Sequence, residues 1–294
     1  MLTRFRPIAV AALVIAAPFA IANTQSASPP AEIDPKAAPL AQSGTGYADL
    51  ADLVIAAPLI VDATIRSQVR IKPAESPGLA AGLTRYYVEA DVTTLLRGAD
   101  GVPPRVGYLI DVAPDPSGRL PKLKKRRVLI FARNAPTGSG QLQLVAPDAQ
   151  RDWNPALETE IRGIATAALA PDAPPRITGV GSAFHVPGAL PGEGETQIFL
   201  TTANGAPVSL SILRRPGERP RWAVALSEIV DEAAAPPEPR SLLWYRLACG
   251  LPRMLPPTSS AALSPDESMK ASEDYRYVLT QLGPCGRTKA DPVS

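Results

Sequence analysis

Arg85-Tyr86-Tyr87-Val88-Glu89-Ala90-Asp91-Val92-Thr93-Thr94-Leu95-Leu96 alternates apolar and polar side chains over most of its length. Tyr86, Val88, Ala90 and Val92 fall on one side, and Tyr87, Glu89, Asp91 and Thr93 on the other. A period of two is that of a β-strand with one face buried and the other in water. Upstream, Leu59 to Ile71 repeats the pattern, with Val61, Ala63 and Ile65 against Asp62, Thr64 and Arg66. Downstream, Arg105 to Val112 and Arg127 to Ala132 read as shorter apolar strands. Gln141 to Val145 follows the turn Asn134-Ala135-Pro136-Thr137-Gly138 and reads as a fifth strand. Five antiparallel strands in so short a stretch predict a small barrel or sandwich.

Helical periodicity brackets these strands. Leu50, Leu53, Val54 and Ala57 lie at i, i+3, i+4 and i+7, and Pro58 ends the run. After the strands, Asn154 is a helix cap with Pro155 at the first helical position. Leu157, Ile161, Ile164 and Ala168 give that helix its apolar face. Ala170-Pro171-Asp172-Ala173-Pro174-Pro175 then reads as a linker.

A second domain begins with a strand near Arg176. Glu195 to Thr202 and Pro207 to Arg214 flank Ala203-Asn204-Gly205-Ala206. Asn-Gly between two strands marks a hairpin, because both central residues of a type I′ turn need positive φ. Arg221 to Glu228, with Trp222, Val224 and Leu226 on one face, completes a meander. Two helices close the chain. Ser241 to Cys249 carries Leu242, Leu243, Tyr245 and Leu247 and ends at Gly250. Ser264-Pro265-Asp266-Glu267 is a capping box opening a helix whose face is Ala271, Tyr275, Val278, Leu279 and Leu282. The predicted class is α+β: an N-terminal OB-like antiparallel β-barrel with a closing helix over 47–169, and over 176–287 an antiparallel meander packed with two helices.

The N-terminus predicts export. Arg4 and Arg6 precede an apolar run from Ile8 to Ala22, which ends in the small-x-small triplet Ala20-Ile21-Ala22 before Asn23. These are the parts of a cleaved signal peptide over 1–22. The run is 15 residues, shorter than the roughly 20 of a spanning helix. Residues 23–46, rich in Ala, Ser and Pro, read as a flexible lead-in. The chain has 30 basic and 28 acidic residues. Cleavage would remove the two arginines and no acid, leaving 28 of each. A neutral mature chain gives no field for nucleic acid.

Export also bears on the cysteines. Cys249 and Cys285 are the only two, and in an oxidising compartment two lone cysteines most often pair, with two buried free thiols as the alternative. The 14-residue connector from Gly250 to Leu263 reaches about 45 Å when extended. It needs only to run back along an 18-residue helix of about 27 Å, so the two helix ends can meet.

Catalytic signatures are scarce. His185 is the single histidine, in Gly181-Ser182-Ala183-Phe184-His185-Val186-Pro187-Gly188, and reads as structural. A metal site rich in His or Cys cannot be built from these residues. No Walker loop or Rossmann glycine fingerprint occurs, and Gly138-Ser139-Gly140 lacks a nucleophile-elbow pattern. The dense basic run places Arg119, Lys122, Lys124, Lys125, Arg126 and Arg127 together, either as an anion-binding patch or as a solvated loop. Glu228, Asp231 and Glu232 read as a solvated strand end, with a carboxylate or cation site as the alternative. Trp222, Trp244 and Tyr245 are core or groove aromatics.

Ala51-Asp52-Leu53-Val54-Ile55, the strand Tyr86 to Val92 running into Leu95-Leu96-Arg97-Gly98, and Val128-Leu129-Ile130-Phe131 after the basic loop carry a resemblance. Together Ala48 to Arg133 looks like the netrin-like, tissue-inhibitor-of-metalloproteinase type of OB barrel. That resemblance implies an extracellular binding or inhibitory module. The family's characteristic cysteines are absent here, so its protease inhibition is not carried over. The whole chain also resembles exported proteins of sphingomonad-type alphaproteobacteria, which implies the periplasm. The expectation is a non-enzymatic periplasmic or secreted binding protein with no cofactor and no nucleic acid, engaging an envelope protein or glycan. The alternative is an envelope hydrolase with a carboxylate- or Ser-based site.

Overall fold

The computed structural model describes residues 46–136, 138, 140–227 and 234–288. The expected signal peptide, all of the lead-in before Gly46, Ser139, and Glu228, Asp231 and Glu232 lie outside the described residues.

Helix α1 (Tyr47–Ala56) leads into strands β1 (Leu59–Arg70), β2 (Thr84–Arg97), β3 (Arg105–Val112), β4 (Arg127–Asn134) and β5 (Gln141–Leu144). The sheet order is β1-β2-β3-β5-β4, and β4 pairs back onto β1, so the five strands close into a barrel. Four seams are antiparallel. The fifth, β3 to β5, is parallel through Gly107↔Gln141 and Tyr108↔Leu142. This is the OB-like architecture, a small five-stranded barrel. A short strand β6 (Gln150–Asp152), not anticipated from the sequence, pairs with Val128–Ile130 of β4 on the edge opposite β1, where β5 does not reach.

The alternation on β2 becomes the barrel interior. Tyr86, Val88 and Ala90 join Val61, Ala63 and Ile65 of β1 in one buried cluster. Strand β4 behaves differently because it is buried on both faces. Val128, Ile130 and Ala132 face the barrel interior, while Leu129 and Phe131 belong to a second core outside it. That second core holds α1, helix α2 (Pro155–Leu169) and part of helix α3 (Leu242–Gly250). Asn154 caps α2 by accepting from the Leu157 amide at 2.9 Å. One seam residue anchors the closure. Asp62 on β1 is fully buried and accepts from Arg127 Nε and Nη2 at 2.9 and 2.7 Å. The Arg127 guanidinium stacks over Trp153 at 3.5 Å.

The C-terminal layer is a four-stranded antiparallel sheet in the order β10-β9-β8-β7. Its strands are β7 (Ile177–Pro187), β8 (Gly194–Thr202), β9 (Val208–Arg214) and β10 (Arg221–Ala225). Helices α3 and α4 (Pro265–Leu282) cover one face. Ile198, Leu210, Ile212 and Trp222 pack there against Leu247, Ala271, Tyr275 and Val278. The capping box at Ser264 and Glu267 starts α4 as its residues predict. Barrel and C-terminal layer belong to one compact unit, since α1, α2 and α3 share a core across the 170–175 connector.

Candidate functional site

Three features of this framework carry polar or exposed apolar side chains in positions that local folding alone does not demand. The first lies where α1, the start of β7, α3 and the C-terminal segment meet. Two carboxylates one turn apart on α1 reach residues 287 and 288 of the C-terminal segment. Asp49 accepts from the Thr288 amide and hydroxyl at 3.0 and 2.7 Å. Asp52 accepts from Arg287 Nε and Nη2 at 2.6 and 3.0 Å, and from the Tyr245 hydroxyl. Burial, and then the hydrogen bond to Asp52, pushes the Tyr245 hydroxyl up to about 12. Cys249 and Cys285 form a disulfide with Cα atoms 4.9 Å apart, which holds this C-terminal segment against the end of α3. Between these elements is a cavity of about 510 Å³, lined by Arg176, Arg246 and Arg287 beside Ile55, Ala56 and Ile177.

The second feature is a buried polar relay. Thr196 and Asp274 are fully buried, and His185 is 9% exposed. Thr196 donates its hydroxyl to Asp274 Oδ2, whose other oxygen accepts from Arg214 Nε. A threonine hydroxyl has one proton, so the 2.8 Å contact with His185 Nδ1 makes the imidazole the donor there. In the neutral ring, Nε2 is then an acceptor. His185 lines a cleft of about 590 Å³ together with Glu193, Arg214, Asp266, Glu267 and Lys270. A Cβ on Gly194 would lie 2.9 Å from His185 Cε1, so the glycine leaves the ring its room.

The third is the face of the C-terminal sheet opposite α3 and α4, uncovered among the described residues. Strand alternation sends His185, Thr196, Ile198 and Ile212 inward and Phe184, Val186, Phe199 and Leu213 outward. Val186, Glu195 and Leu213 form one cross-strand row through the pairings of β8 with β7 and β9. Phe184 and Phe199 sit diagonally on the same face, with ring centroids 5.9 Å apart in an edge-to-face contact. These four side chains are between 37% and 65% exposed, so the patch is open to solvent.

The basic run predicted as a candidate patch is divided by the fold. Arg127 is committed to Asp62, Arg126 pairs with Asp152, and Arg119 bonds Ser117 and Asp115. Lys122, Lys124 and Lys125 are exposed, while Leu123 between them enters the barrel core. Trp222 is core, and Trp244 donates to the Leu282 carbonyl while packing edge-on against Tyr47. Tyr245 alone of the three aromatics lines the arginine cavity. Sequence reasoning missed Asp52, Arg176, Arg246 and Arg287, and also Thr196 and Asp274. The one available signal was a charged residue inside an otherwise apolar helix face, as with Arg246 between Tyr245 and Leu247. Among the described residues, no group of three or more His, Cys, Asp or Glu is placed to hold a metal ion. No described helix is long and apolar enough to cross a membrane. No protein-family model and no curated protein sequence matches the chain.

Proposed function

We propose that the protein is a non-enzymatic binding module of the cell envelope, periplasmic or secreted, which docks another protein on the uncovered face of the β7–β10 sheet. The observation that carries this reading is the exposed apolar cluster of Phe184, Val186 and Phe199, with Leu213 beyond Glu195 on the same face. Contiguous apolar surface is costly in water, and aromatic residues are enriched at the centres of protein interfaces. The disulfide and the signal-like N-terminus support the compartment, and the netrin-like resemblance supports a binding role for the barrel. A photo-crosslinker at Val186, used in periplasmic extract, tests the docking. The expected result is one captured protein, lost in a Phe184→Ser/Phe199→Ser double variant with wild-type circular dichroism. Equal capture by the double variant, or recovery of neither protein nor glycan, overturns it.

The hydrolase alternative has one observation in its favour, the His185–Thr196–Asp274 relay, which orients a proton-accepting Nε2 at a cleft. Ester or glycan turnover abolished by His185→Gln would replace the binding reading.

A further inference from the structure

The cavity at the junction of α1, β7 and α3 holds more positive charge than its own carboxylate can balance. Arg287 and Asp52 form a bidentate pair, so the one acid that lines the cavity among the described residues is committed. Arg176 and Arg246 line the same space. Neither forms an ion pair with a described carboxylate; Arg246 makes a 3.3 Å bond from Nε to the Pro174 carbonyl and lies 5.6 Å from the Tyr245 ring centroid. Its terminal nitrogens have no hydrogen-bond partner among the described residues. Burial lowers the Arg246 pKa first of all; Tyr245 opposes this, the neighbouring Arg176 charge adds to it less strongly, and Asp52 opposes it least. A half-buried guanidinium facing a second cation is an arrangement that folding disfavours. Such local costs are retained where a ligand relieves them.

We propose that this cavity binds a phosphate monoester, its dianion seated between Arg176 and Arg246. The two cations left over after the Arg287–Asp52 pair match two negative charges. A guanidinium presents a planar fork of donors that suits a phosphate face. About 510 Å³ accommodates a small organic ester, within the range of ligand pockets. Ile55, Ala56 and Ile177 supply an apolar wall for the group that carries the phosphate. The ester belongs either to a soluble metabolite or to a lipid headgroup, and the site chemistry is the same for both.

The test uses the purified mature chain with inorganic phosphate and phenyl phosphate, at ionic strength matched with chloride. Thermal midpoint and calorimetric titration are the readouts. The expected result is a saturable rise in midpoint, with phenyl phosphate the tighter ligand. Arg176→Gln and Arg246→Gln should each weaken binding at least tenfold. Arg219→Gln, in an exposed turn, should leave it unchanged. Without ligand, Arg246→Gln should melt no lower than wild type, since it removes a desolvated charge held beside another. Should that variant fold poorly, the exposed Arg176 carries the test alone. No saturable shift with either ligand overturns the proposal, as does an equal loss of binding in Arg219→Gln. Co-sedimentation with phosphatidic acid vesicles that is lost in Arg176→Gln assigns the ester to a lipid. Binding of phenyl phosphate without sedimentation assigns it to a soluble molecule. The Phe184→Ser/Phe199→Ser variant should keep its phosphate affinity, which separates this site from the docking face.

Discussion

Replacing both cysteines by serine tests how the C-terminal segment is held. Cys249 and Cys285 are 36 residues apart. In the chain-entropy description, closing a loop of that length removes about 13 cal/mol/K from the unfolded ensemble, or about 3.8 kcal/mol at 25 °C. For a unit of this size that corresponds to a fall in thermal midpoint of roughly 8–15 °C. The folded state also loses a tether. Residues 285–288 reach α1 through Arg287 on Asp52 and Thr288 on Asp49, and the disulfide positions them to do so. Urea unfolding of wild type and of Cys249→Ser/Cys285→Ser measures the first effect, and hydrogen exchange measures the second. The expected pattern is a lowered midpoint together with faster exchange at the Thr288 amide, while amides of the barrel strands keep their ranking. A stability difference below about 1 kcal/mol, or an unchanged Thr288 exchange rate, would refute this account.

Thr196→Val removes the buried hydroxyl bridging His185 and Asp274. It strands a donor and an acceptor, so urea unfolding should show a loss of about 2–4 kcal/mol, while Thr196→Ser should cost less than about 1. Gly107→Ala would place a Cβ 2.2 Å from Tyr87 Oη, forcing the ring off its contact with Gln141. A loss of about 1–2 kcal/mol is expected, shrinking by more than half in a Tyr87→Ala background; full additivity would contradict the packing argument. Stability should fall at both ends of the pH scale, by urea midpoint. Glu158 is held below its ordinary range by the Trp153 indole and then Arg162, and Glu267 by the Ser264 amide and hydroxyl. A lowered folded-state value contributes stability above the ordinary carboxylate pKa of about 4.3, and that contribution is lost as the pH drops through the folded value. Tyr47 and Tyr245 are both pushed up to about 12, chiefly by burial. Their contribution is complete below pH of about 10 and is lost as the pH rises towards 12. A midpoint that rises on acidification below pH 4 contradicts the carboxylate assignment.

The barrel was legible because its strands obey simple periodicity. Tyr86, Val88 and Ala90 alternate in the sequence and share one interior in the fold. The capping box at Ser264 rests on chemistry confined to a few neighbouring residues and forms where expected. The hairpin joins β8 to β9 as expected, but not through a type I′ turn: Gly205 has φ of 74° while Asn204 lacks positive φ, and the paired register ends at Leu200↔Val208. Strand β6 escaped notice because Gln150-Arg151-Asp152 has neither alternation nor β-branched residues. It exists because the edge of β4 offers it a partner. The parallel β3–β5 seam was likewise hidden, since pairing partners are settled by barrel closure rather than by either strand's own composition. β4 itself reads as an unbroken apolar run because a helical layer covers its outer face.

The charged sites were illegible for a different reason. Amphipathic spacing tells which side of a helix is buried, but not which distant group a buried charge will meet. Asp52 and Arg287 are 235 residues apart, and Thr196 and Asp274 are 78 apart. Nothing local in either sequence neighbourhood announces the pairing. Whole-chain charge adds a second obstacle. The near-balance of 30 basic and 28 acidic residues argues against a strong surface field. It says nothing about a cavity in which Asp52 is spent on Arg287 while Arg176 and Arg246 face each other. Charge neutrality is a property of the sum, and ligand recognition depends on the local remainder. That remainder becomes visible only once the fold has decided which acids are already taken.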